Sequence, residues 1–341
     1  MTPRSKTSRP GRQKERATRA PPRRATRPVE LDRADQQIID SLIADGRISN
    51  RALAGRVGLT EATVAARIRS LQEHRVLGIS AVFDWEAAGY AWDLRLAVTV
   101  EGRPVLEVAE QLATLRYVNW VMLVFGPADI VVHAQLPDRR AVVDLLTAQV
   151  SAIHGIREVR TDLNLETLKY EVNLARVPLA ESALEFPAPV VDLDDLDHSI
   201  VAALVADGRQ SNREIARQLG VSDGTVRLRL RRLGDSGMLR ICAQIDPYLT
   251  GRVGAWAYVA IDLSGADMPR VAAELAAMPE VLILSVTTGD HDLVAFTVAP
   301  SRAALVDVVL DEIRAIRGIR TADTAEVTRT VKLEYRWARL L

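Results

Sequence analysis

The chain has 341 residues, of which 48% are hydrophobic and 26% charged, and its formal net charge is zero. This length predicts about two to four globular domains. No apolar run approaches the roughly 20 residues of a membrane helix, and no apolar segment follows the basic N-terminus. The only cysteine, Cys242, excludes an intrachain disulfide and a cysteine-built zinc site. We therefore expect a cytoplasmic protein with no membrane partner.

Residues 1–30 form a basic tail with ten Lys or Arg residues against two Glu, a net charge of +8 that the remainder balances with −8. Five prolines and the lack of apolar periodicity predict that this tail is disordered. Such a tail either keeps a protein soluble or follows the phosphates of DNA while releasing counterions. The helical pattern that follows the tail favours the second interpretation.

Residues 31–82 have the pattern of a winged helix-turn-helix head. A first helix is predicted over 35–45, where the apolar side chains form one stripe and Gly46 ends the helix. Ser49 is a good N-cap for a short second helix, which ends at Gly58. A third helix follows, and the strand after it is expected to form the wing.

The third helix is the element predicted to contact DNA, because an α-helix fits the major groove. Its cap and solvent face offer the candidate DNA-binding residues Thr60, Glu61, Thr63, Arg67 and Arg69. Since Arg67 is adjacent to positions that should be buried, we expect it to hold a phosphate rather than to read a base. The alternative is a charged face that only contacts solvent.

Residues 90–172 follow with the element order βαββαβ. Strands are predicted at 92–100, 118–125, 129–136 and 156–170, and helices at 104–115 and 138–153. This order is typical of a ferredoxin-like split βαβ sheet with helices on one face, which makes the chain α+β. The bare face of the sheet must be covered, and a second sheet of the same chain is the natural cover.

The entire unit is repeated after a proline-containing linker at 175–192. The segment 31–35 (LDRAD) reappears as LDDLD at 193–197, an offset of 162 residues. The offset later becomes 163, which aligns Gly126 with Gly289. A duplication of one head-plus-sheet unit explains this pattern.

The second copy comprises a head at 193–244 and a βαββαβ unit at 254–336. The candidate DNA-binding residues of its third helix are Ser222, Asp223, Thr225, Arg227, Arg229 and Arg231. We expect Arg229, like its counterpart in the first head, to hold a phosphate. This helix is much more basic than the alanine-rich first one. The second head is therefore expected to supply more of the non-specific affinity, and the two half-sites are not expected to form a perfect inverted repeat.

A glycine turn is predicted between the two central strands of each βαββαβ unit. Glycine exposes backbone N–H groups that could hold a ligand carboxylate, and a nearby aspartate could take an ammonium group. The candidate effector-binding residues are Gly126, Asp129, Thr288, Gly289 and Asp292. The alternative is a plain strand turn that the aspartate caps.

These features together resemble the Lrp/AsnC, or feast–famine, transcription regulators. The resemblance covers 31–172 and 193–336 and is carried by Leu-Asp-x-x-Asp, Ser/Thr-x-x-Thr-Val-x-x-Arg and Gly-x-x-Asp. It implies double-stranded DNA as partner, dimerisation through the βαββαβ units, and small effectors, often amino acids, near the Gly-x-x-Asp turn. The chain departs from the family in being a tandem fusion, and Phe125 stands where Thr288 keeps the family pattern. We expect a nucleoid-associated homo-oligomer of such two-copy chains.

Three other classes are weighed against a regulator. Phosphate-cradling and nucleophile motifs are missing from the sequence, and its five histidines lack metal-ligand spacing, so no cofactor, metal or catalytic residue is predicted. The closest alternative is a siroheme decarboxylase, because those enzymes resemble the same fold. They use pocket histidine and arginine residues that the sequence pattern does not place. A purely architectural DNA compactor is the third class.

Overall fold

The computed structural model describes residues 29–74, 76–171, 193–245, 253–265 and 267–333, with residues 250 and 337–338. The linker and nearly all of the basic tail lie outside these residues. In the described ranges, two helix-turn-helix heads sit beside one closed eight-stranded barrel that the two βαββαβ units build together. None of the helices in these ranges is long and apolar enough to cross a membrane.

The secondary structure repeats in the two copies. The first copy contains α1 (Arg33–Ala44), α2 (Asn50–Val57), α3 (Glu61–Glu73), β1 (Leu77–Asp84), β2 (Trp92–Val100), α4 (Val105–Ala113), β3 (Val118–Phe125), β4 (Ile130–Leu136), α5 (Arg139–Asp144, continued by a π-helical turn Leu145–Val150) and β5 (Ile156–Tyr170). The second contains α6 (Asp195–Ala206), α7 (Asn212–Leu219), α8 (Asp223–Asp235), β6 (Leu239–Ile245), β7 (Ala255–Leu263), α9 (Met268–Ala277), β8 (Val281–Thr288), β9 (Leu293–Ala299), α10 (Arg302–Asp307, continued by the π-helical turn Val308–Ile313), β10 (Ile319–Leu333) and β11 (Trp337–Ala338).

The helix caps of the heads are those that the sequence predicts. The Ser49 hydroxyl accepts a hydrogen bond from the Ala52 N–H at 3.1 Å, and the Thr60 hydroxyl accepts one from the Thr63 N–H at 3.2 Å. Gly58 ends α2 in the left-handed conformation, with φ +69°. These bonds satisfy helix-end groups that would otherwise lack partners, which fixes where α3 begins.

The strand after each third helix packs on its own head, with Leu77 and Ile79 in the core of the first and Leu239 and Cys242 in that of the second. It also pairs with the corresponding strand of the other copy, which the sequence does not predict: β1 and β6 are antiparallel in register from Leu77–Ile245 to Phe83–Leu239. Each strand also enters the hydrophobic core of the other copy's head. Ala243 and Ile245 pack in the core of the first head, and Phe83 packs in that of the second. Neither head has a complete core without the other copy.

Two glycines allow this exchange. The Gly46 N–H donates to the Ile241 carbonyl at 3.0 Å, and the Gly208 N–H donates to the Ile79 carbonyl at 3.0 Å. A Cβ atom on Gly46 would lie 2.9 Å from the Cα atom of Cys242. A helix end and a strand can approach this closely only where no side chain separates them.

Reciprocal arginines join the heads a second time. Arg47 donates to the Asn212 side-chain oxygen and to the Gln210 carbonyl, each at 2.8 Å. Arg209 donates to the Asn50 side-chain oxygen at 2.9 Å and to the Ile48 carbonyl at 3.0 Å. These charge-assisted bonds and the β1–β6 pairing hold the two heads in one fixed relation.

The two βαββαβ units pair along their edges as well as packing face to face. The strand order around the barrel is β10-β3-β4-β2-β5-β8-β9-β7, closed by the β10–β7 pairing, so that β5 bonds β8 and β10 bonds β3 between the copies. The expected sheet-on-sheet contact is present in the lumen, where Met122 and Val131 lie in one cluster with Trp256 and Phe296. The edge pairing was not predicted, and it removes the open sheet edges of both units.

Replacing Gly46 or Gly208 with alanine should destabilise the whole chain. The added methyl group meets backbone atoms of the exchanged strand, and overpacking of this kind costs about 1–3 kcal/mol. Gly55, which lies in α2 with no heavy atom within 4 Å of an added Cβ, is the matched control. Urea unfolding should show Gly55→Ala unchanged or more stable by up to about 1 kcal/mol. Equal stabilities for Gly46→Ala and Gly55→Ala would contradict the proposed close approach.

Cys242 is fully buried, and burial raises the pKa of its thiol to about 11. Only the thiolate reacts with alkylating reagents, so burial and the raised pKa both slow the reaction. We expect alkylation by iodoacetamide at pH 8 to be at least roughly a hundredfold slower in the folded chain than in urea, because the pKa moves by about two units. Similar rates in the two states would show that β6 opens readily.

Candidate functional site

The predicted DNA-contacting face of α3 lies on the surface of the first head. Thr60, Glu61, Thr63 and Arg69 are all exposed. The hydroxyl groups of Thr60 and Thr63 lie 2.8 Å apart and share one hydrogen bond as part of the cap. Because its side chain is exposed, the Arg69 guanidinium of this face is available to a phosphate.

The corresponding face of α8 carries more positive charge. Ser222, Asp223, Arg227 and Arg231 are exposed, and the guanidinium of Arg227 lies 3.7 Å from the Asp223 carboxylate. Thr225 is part-buried and shares a hydrogen bond with the Ser222 hydroxyl at 2.8 Å. This face also holds Leu228, whose side chain is 66% exposed and which the sequence reasoning did not select. An exposed leucine between arginines is an apolar contact point in an otherwise polar surface.

Arg67 and Arg229, which we expected to hold phosphates, instead have carboxylate partners inside their own heads. Arg67 donates to Asp32 at 2.7 Å and to Asp35 at 2.8 Å. Arg229 makes the equivalent contacts with Asp194 and Asp197. The two aspartates are those of the Leu-Asp-x-x-Asp segment, so each arginine ties its third helix to its first.

Electrostatics reinforce this tie. The backbone N–H of Asp35 and the guanidinium of Arg67 hold the pKa of Asp32 below its ordinary value. The same two contacts from Asp197 and Arg229 lower the pKa of Asp194. In the second head Arg232 also donates to the buried Asp197. Each of the two guanidinium groups thus has two carboxylate partners inside its own head, and phosphate binding by Arg67 and Arg229 stays a prediction.

The glycine turns have the geometry of capped hairpins. The Asp129 carboxylate accepts from the Val100 N–H at 2.8 Å, and the Asp292 carboxylate accepts from the Leu263 N–H at 2.8 Å. Gly126 and Gly289 have φ values of +152° and +142°, which other residues rarely adopt. These observations support the alternative of a capped turn, and amino-acid binding at Gly126, Asp129, Thr288, Gly289 and Asp292 stays a prediction.

The turn of the second unit is already occupied by a carboxylate of the chain itself. The Asp290 N–H, next to Gly289, donates to the Asp162 carboxylate of β5 at 3.0 Å. In the first unit the equivalent turn residue is Pro127, which has no N–H, and the residue equivalent to Asp162 is Ala325. The first unit's turn therefore lacks the N–H donor of this contact, and the second unit lacks the carboxylate that would accept from it. The Asp290 N–H of this turn therefore serves a contact between the two copies.

A buried polar cluster, which sequence reasoning missed, lies in the barrel lumen on the inner face of the first unit. Arg95 of β2 forms an ion pair with Asp162 of β5, and both side chains are almost completely buried. Asp93 accepts hydrogen bonds from the amide groups of Gln135 and Asn164, each at 2.7 Å. The Gln135 side chain also accepts a hydrogen bond from Asn119. Strands β2 and β5 therefore bring charged side chains to the lumen of the barrel, and β4 brings uncharged polar ones.

His133 belongs to the same cluster. Its ring stacks on Tyr258 and lies against Trp120, with ring centroids 5.3 Å apart in both cases. Burial, followed by the nearby positive charge of Arg95, lowers the pKa of His133 to about 3. The imidazole is consequently neutral at physiological pH.

The second unit carries apolar residues where the first carries this cluster. At the offset of 163 residues, the pairs are Asp93 and Trp256, Arg95 and Tyr258, His133 and Phe296, Gln135 and Val298, Asp162 and Ala325, and Asn164 and Val327. The signal that could have found the cluster was therefore in the sequence. Polar residues fall at every second position of three strands, where the aligned copy has residues suited to a core.

A small cavity of about 40 Å³ adjoins the polar cluster and is walled on its other side by Tyr258 and Phe296. On the usual measure of about 10–15 Å³ per water, it has room for about three or four water molecules. The structure thus brings together a pocket histidine and an arginine, which the sequence did not place. Arg95 is paired with Asp162 and the His133 ring is stacked on Tyr258, and a tetrapyrrole is far larger than this cavity. The residues present do not fit such a group.

Two family models match the chain, each of them twice. The Lrp/AsnC ligand binding domain matches residues 96–174 and 256–337. The AsnC-type helix-turn-helix domain matches residues 31–72 and 193–233. The two models together cover most of the two copies.

Similar proteins contain a single copy. An HTH-type transcriptional regulator of Pyrococcus horikoshii is 35% identical over 146 residues, which are 42% of this chain and 92% of the relative. The HTH-type transcriptional regulator FL11 of the same organism is 32% identical over 143 residues, 42% of this chain and 93% of the relative. Each relative therefore corresponds to one head-plus-sheet unit.

A solved structure also resembles the two copies together. The siroheme decarboxylase NirDL, in co-complex with an iron-uroporphyrin III analogue, is similar over 89% of this chain and 94% of its own, with a TM-score of 0.63 and 17% identity. At that identity the likeness concerns the fold alone. With the family matches in both copies and the relatives that are transcription regulators, the chain belongs to the Lrp/AsnC family of helix-turn-helix DNA-binding regulators, in a tandem two-copy form.

Proposed function

We propose that the chain binds one DNA duplex with both heads and regulates transcription at sites of specific sequence. The observation that carries this proposal is the fixed relation between two exposed third helices, set by the β1–β6 pairing and the Arg47 and Arg209 contacts. In DNA-binding dimers, two such helices enter successive major grooves on one side of the duplex. Here a single chain provides both.

The two heads are proposed to contribute unequally. On α8, Arg227 and Arg231 are exposed, and on α3 Arg69 is the corresponding free cation. Phosphate contacts supply affinity that depends strongly on salt and little on sequence. The second head should therefore be the stronger electrostatic anchor, while Arg67 and Arg229 keep their helices in position.

Removing the two exposed arginines of α8 should weaken binding and reduce its salt dependence. For Arg227→Ala with Arg231→Ala, the slope of log K against log salt should fall in magnitude by up to about 1.8, because each phosphate contact contributes about 0.9. Gel shifts or fluorescence anisotropy at several salt concentrations measure this slope.

The matched control removes the same charge from the barrel. Arg139 and Arg140 are exposed at the start of α5, away from the heads. The variant Arg139→Ala with Arg140→Ala should leave both affinity and slope unchanged. If the two double variants behave alike, α8 is not the principal phosphate-binding helix.

Base recognition is also proposed to differ between the heads, because Leu228 of α8 aligns with Ala66 of α3 at the offset of 162. A leucine exposed on a recognition helix can contact the methyl group of thymine in the major groove. We therefore expect an operator whose half-sites are not a perfect inverted repeat.

Replacing thymine with deoxyuridine tests this difference, since it removes only the methyl group. Substitution in one half-site should weaken binding roughly fourfold per contacted methyl group, which corresponds to about 0.8 kcal/mol. The Leu228→Ala variant should lose that sensitivity and keep its response to salt. Equal sensitivity of both half-sites, or equal preference for a perfectly symmetric operator, would count against unequal reading.

Several further features of the family are proposed for this chain. The supporting observations are the matches of both family models in each copy and the similarity to HTH-type transcriptional regulators. We propose a cytoplasmic, nucleoid-associated protein that forms homo-oligomers and responds to a small molecule such as an amino acid. The basic tail at 1–30 is proposed to follow DNA phosphates.

The alternative of a siroheme decarboxylase is favoured by one observation, the similarity of the whole two-copy fold to NirDL. The small size of the cavity, the ion pair of Arg95 with Asp162 and the stacking of the His133 ring on Tyr258 argue against it. We therefore propose that the chain is not an enzyme of this type. A tetrapyrrole absorbance band in the purified protein, with no promoter-specific gel shift, would reverse this choice.

A further inference from the structure

The barrel cavity contains polar groups that the fold itself does not satisfy. Within the described part of the chain, Arg95 Nε, His133 Nε2 and Asn164 Oδ1 are buried and have no hydrogen-bond partner. All three residues line the cavity. A buried polar atom without a partner costs about 1–3 kcal/mol, so three at one place call for an explanation.

Structural need does not explain them. The second copy builds the same strands with Tyr258, Phe296 and Val327 at the equivalent positions, and its face of the barrel is an ordinary hydrophobic core. Well-packed apolar residues are as stabilising as a buried ion pair, or more so. The polar cluster in the first copy is therefore dispensable for closing the barrel, which points to a role in binding.

We propose that this cavity is a binding site for a small zwitterion or amide, a molecule that offers an acceptor oxygen and an N–H donor side by side. The acceptor would pair with the Arg95 guanidinium and the donor with the Asn164 side-chain oxygen. The lining carries one guanidinium against the carboxyl groups of Asp93 and Asp162. A simple anion would therefore face two carboxyl groups, and a simple cation would face Arg95.

The size and shape of the cavity narrow the class of ligand further. Space for about three or four waters, at about 30 Å³ each, corresponds to roughly four to six non-hydrogen atoms, the size of acetamide, glycine or alanine. Tyr258 and Phe296 of the second unit form an apolar wall on the opposite side, and Trp120 of the first unit lies against His133. This site lies in the lumen, and one of its lining residues, Asp162, also accepts the Asp290 N–H of the surface turn at Gly289.

Titration calorimetry of the full chain with named probes tests the proposal. Glycine, L-alanine and acetamide each carry a donor and an acceptor, whereas acetate and methylammonium carry one function each. We expect saturable binding for at least one of the first three and for neither of the last two. No DNA is present, so failure here would leave the proposed DNA recognition untouched.

Substitutions locate the binding. His133→Phe and Asn164→Val install the residues that the second copy already uses, so both variants should fold, and each should raise the dissociation constant by about tenfold or more. The control is Thr297→Val, which removes another unpartnered buried atom of the barrel from a residue that does not line this cavity. It should bind as the unsubstituted chain does.

Three results would overturn the proposal. They are the absence of binding by glycine, alanine and acetamide, binding that His133→Phe and Asn164→Val leave unchanged, and binding that Asp292→Asn abolishes while those two variants retain it. The first would leave ordered water as the occupant of the cavity. The third would assign the site to the glycine turn.

Discussion

The structure depends on the exchange of strands between the two copies. β1 and β6 pair with each other and complete each other's heads, while β5–β8 and β10–β3 close the barrel. Because each contact joins residues far apart in sequence, ordering one copy favours ordering the other. Each head relies on the opposite copy for part of its core, so the two heads cannot separate without exposing apolar surface such as Ile245 and Phe83.

Fusion makes this exchange intramolecular, and that permits asymmetry. In a dimer of identical chains, each substitution appears twice, on both sides of the symmetry axis. In this chain the contacts that hold the fold are kept in both copies, as with Arg67 and Arg229 on their paired aspartates. The exposed faces of the third helices and the inner faces of the barrel differ between the copies instead. Leu228 stands where the first head has Ala66, and His133 stands where the second unit has Phe296.

Local features were predictable from the sequence, and long-range partners were not. Periodicity and capping residues placed the helices within about three residues, because capping side chains such as those of Ser49 and Thr60 act on bonds three residues away. Nothing local in Leu77–Asp84 distinguishes a wing from a strand that pairs with the other copy. The roles of Arg67 and Asp292 were similarly hidden, because residue type shows which bonds a side chain can form and not which partner the fold supplies.

The polar lumen is the clearest consequence of the fusion. If both units carried the first copy's residues, the barrel would enclose two buried ion pairs such as Arg95–Asp162 and two further carboxyl groups such as that of Asp93, with no apolar wall. If both carried the second copy's residues, the lumen would be a uniform hydrophobic core, as around Tyr258 and Phe296. With one polar face from the first unit and one apolar face from the second, the lumen can hold a polar pocket beside an aromatic wall. A single chain can build that combination, and a symmetric pair of identical units cannot.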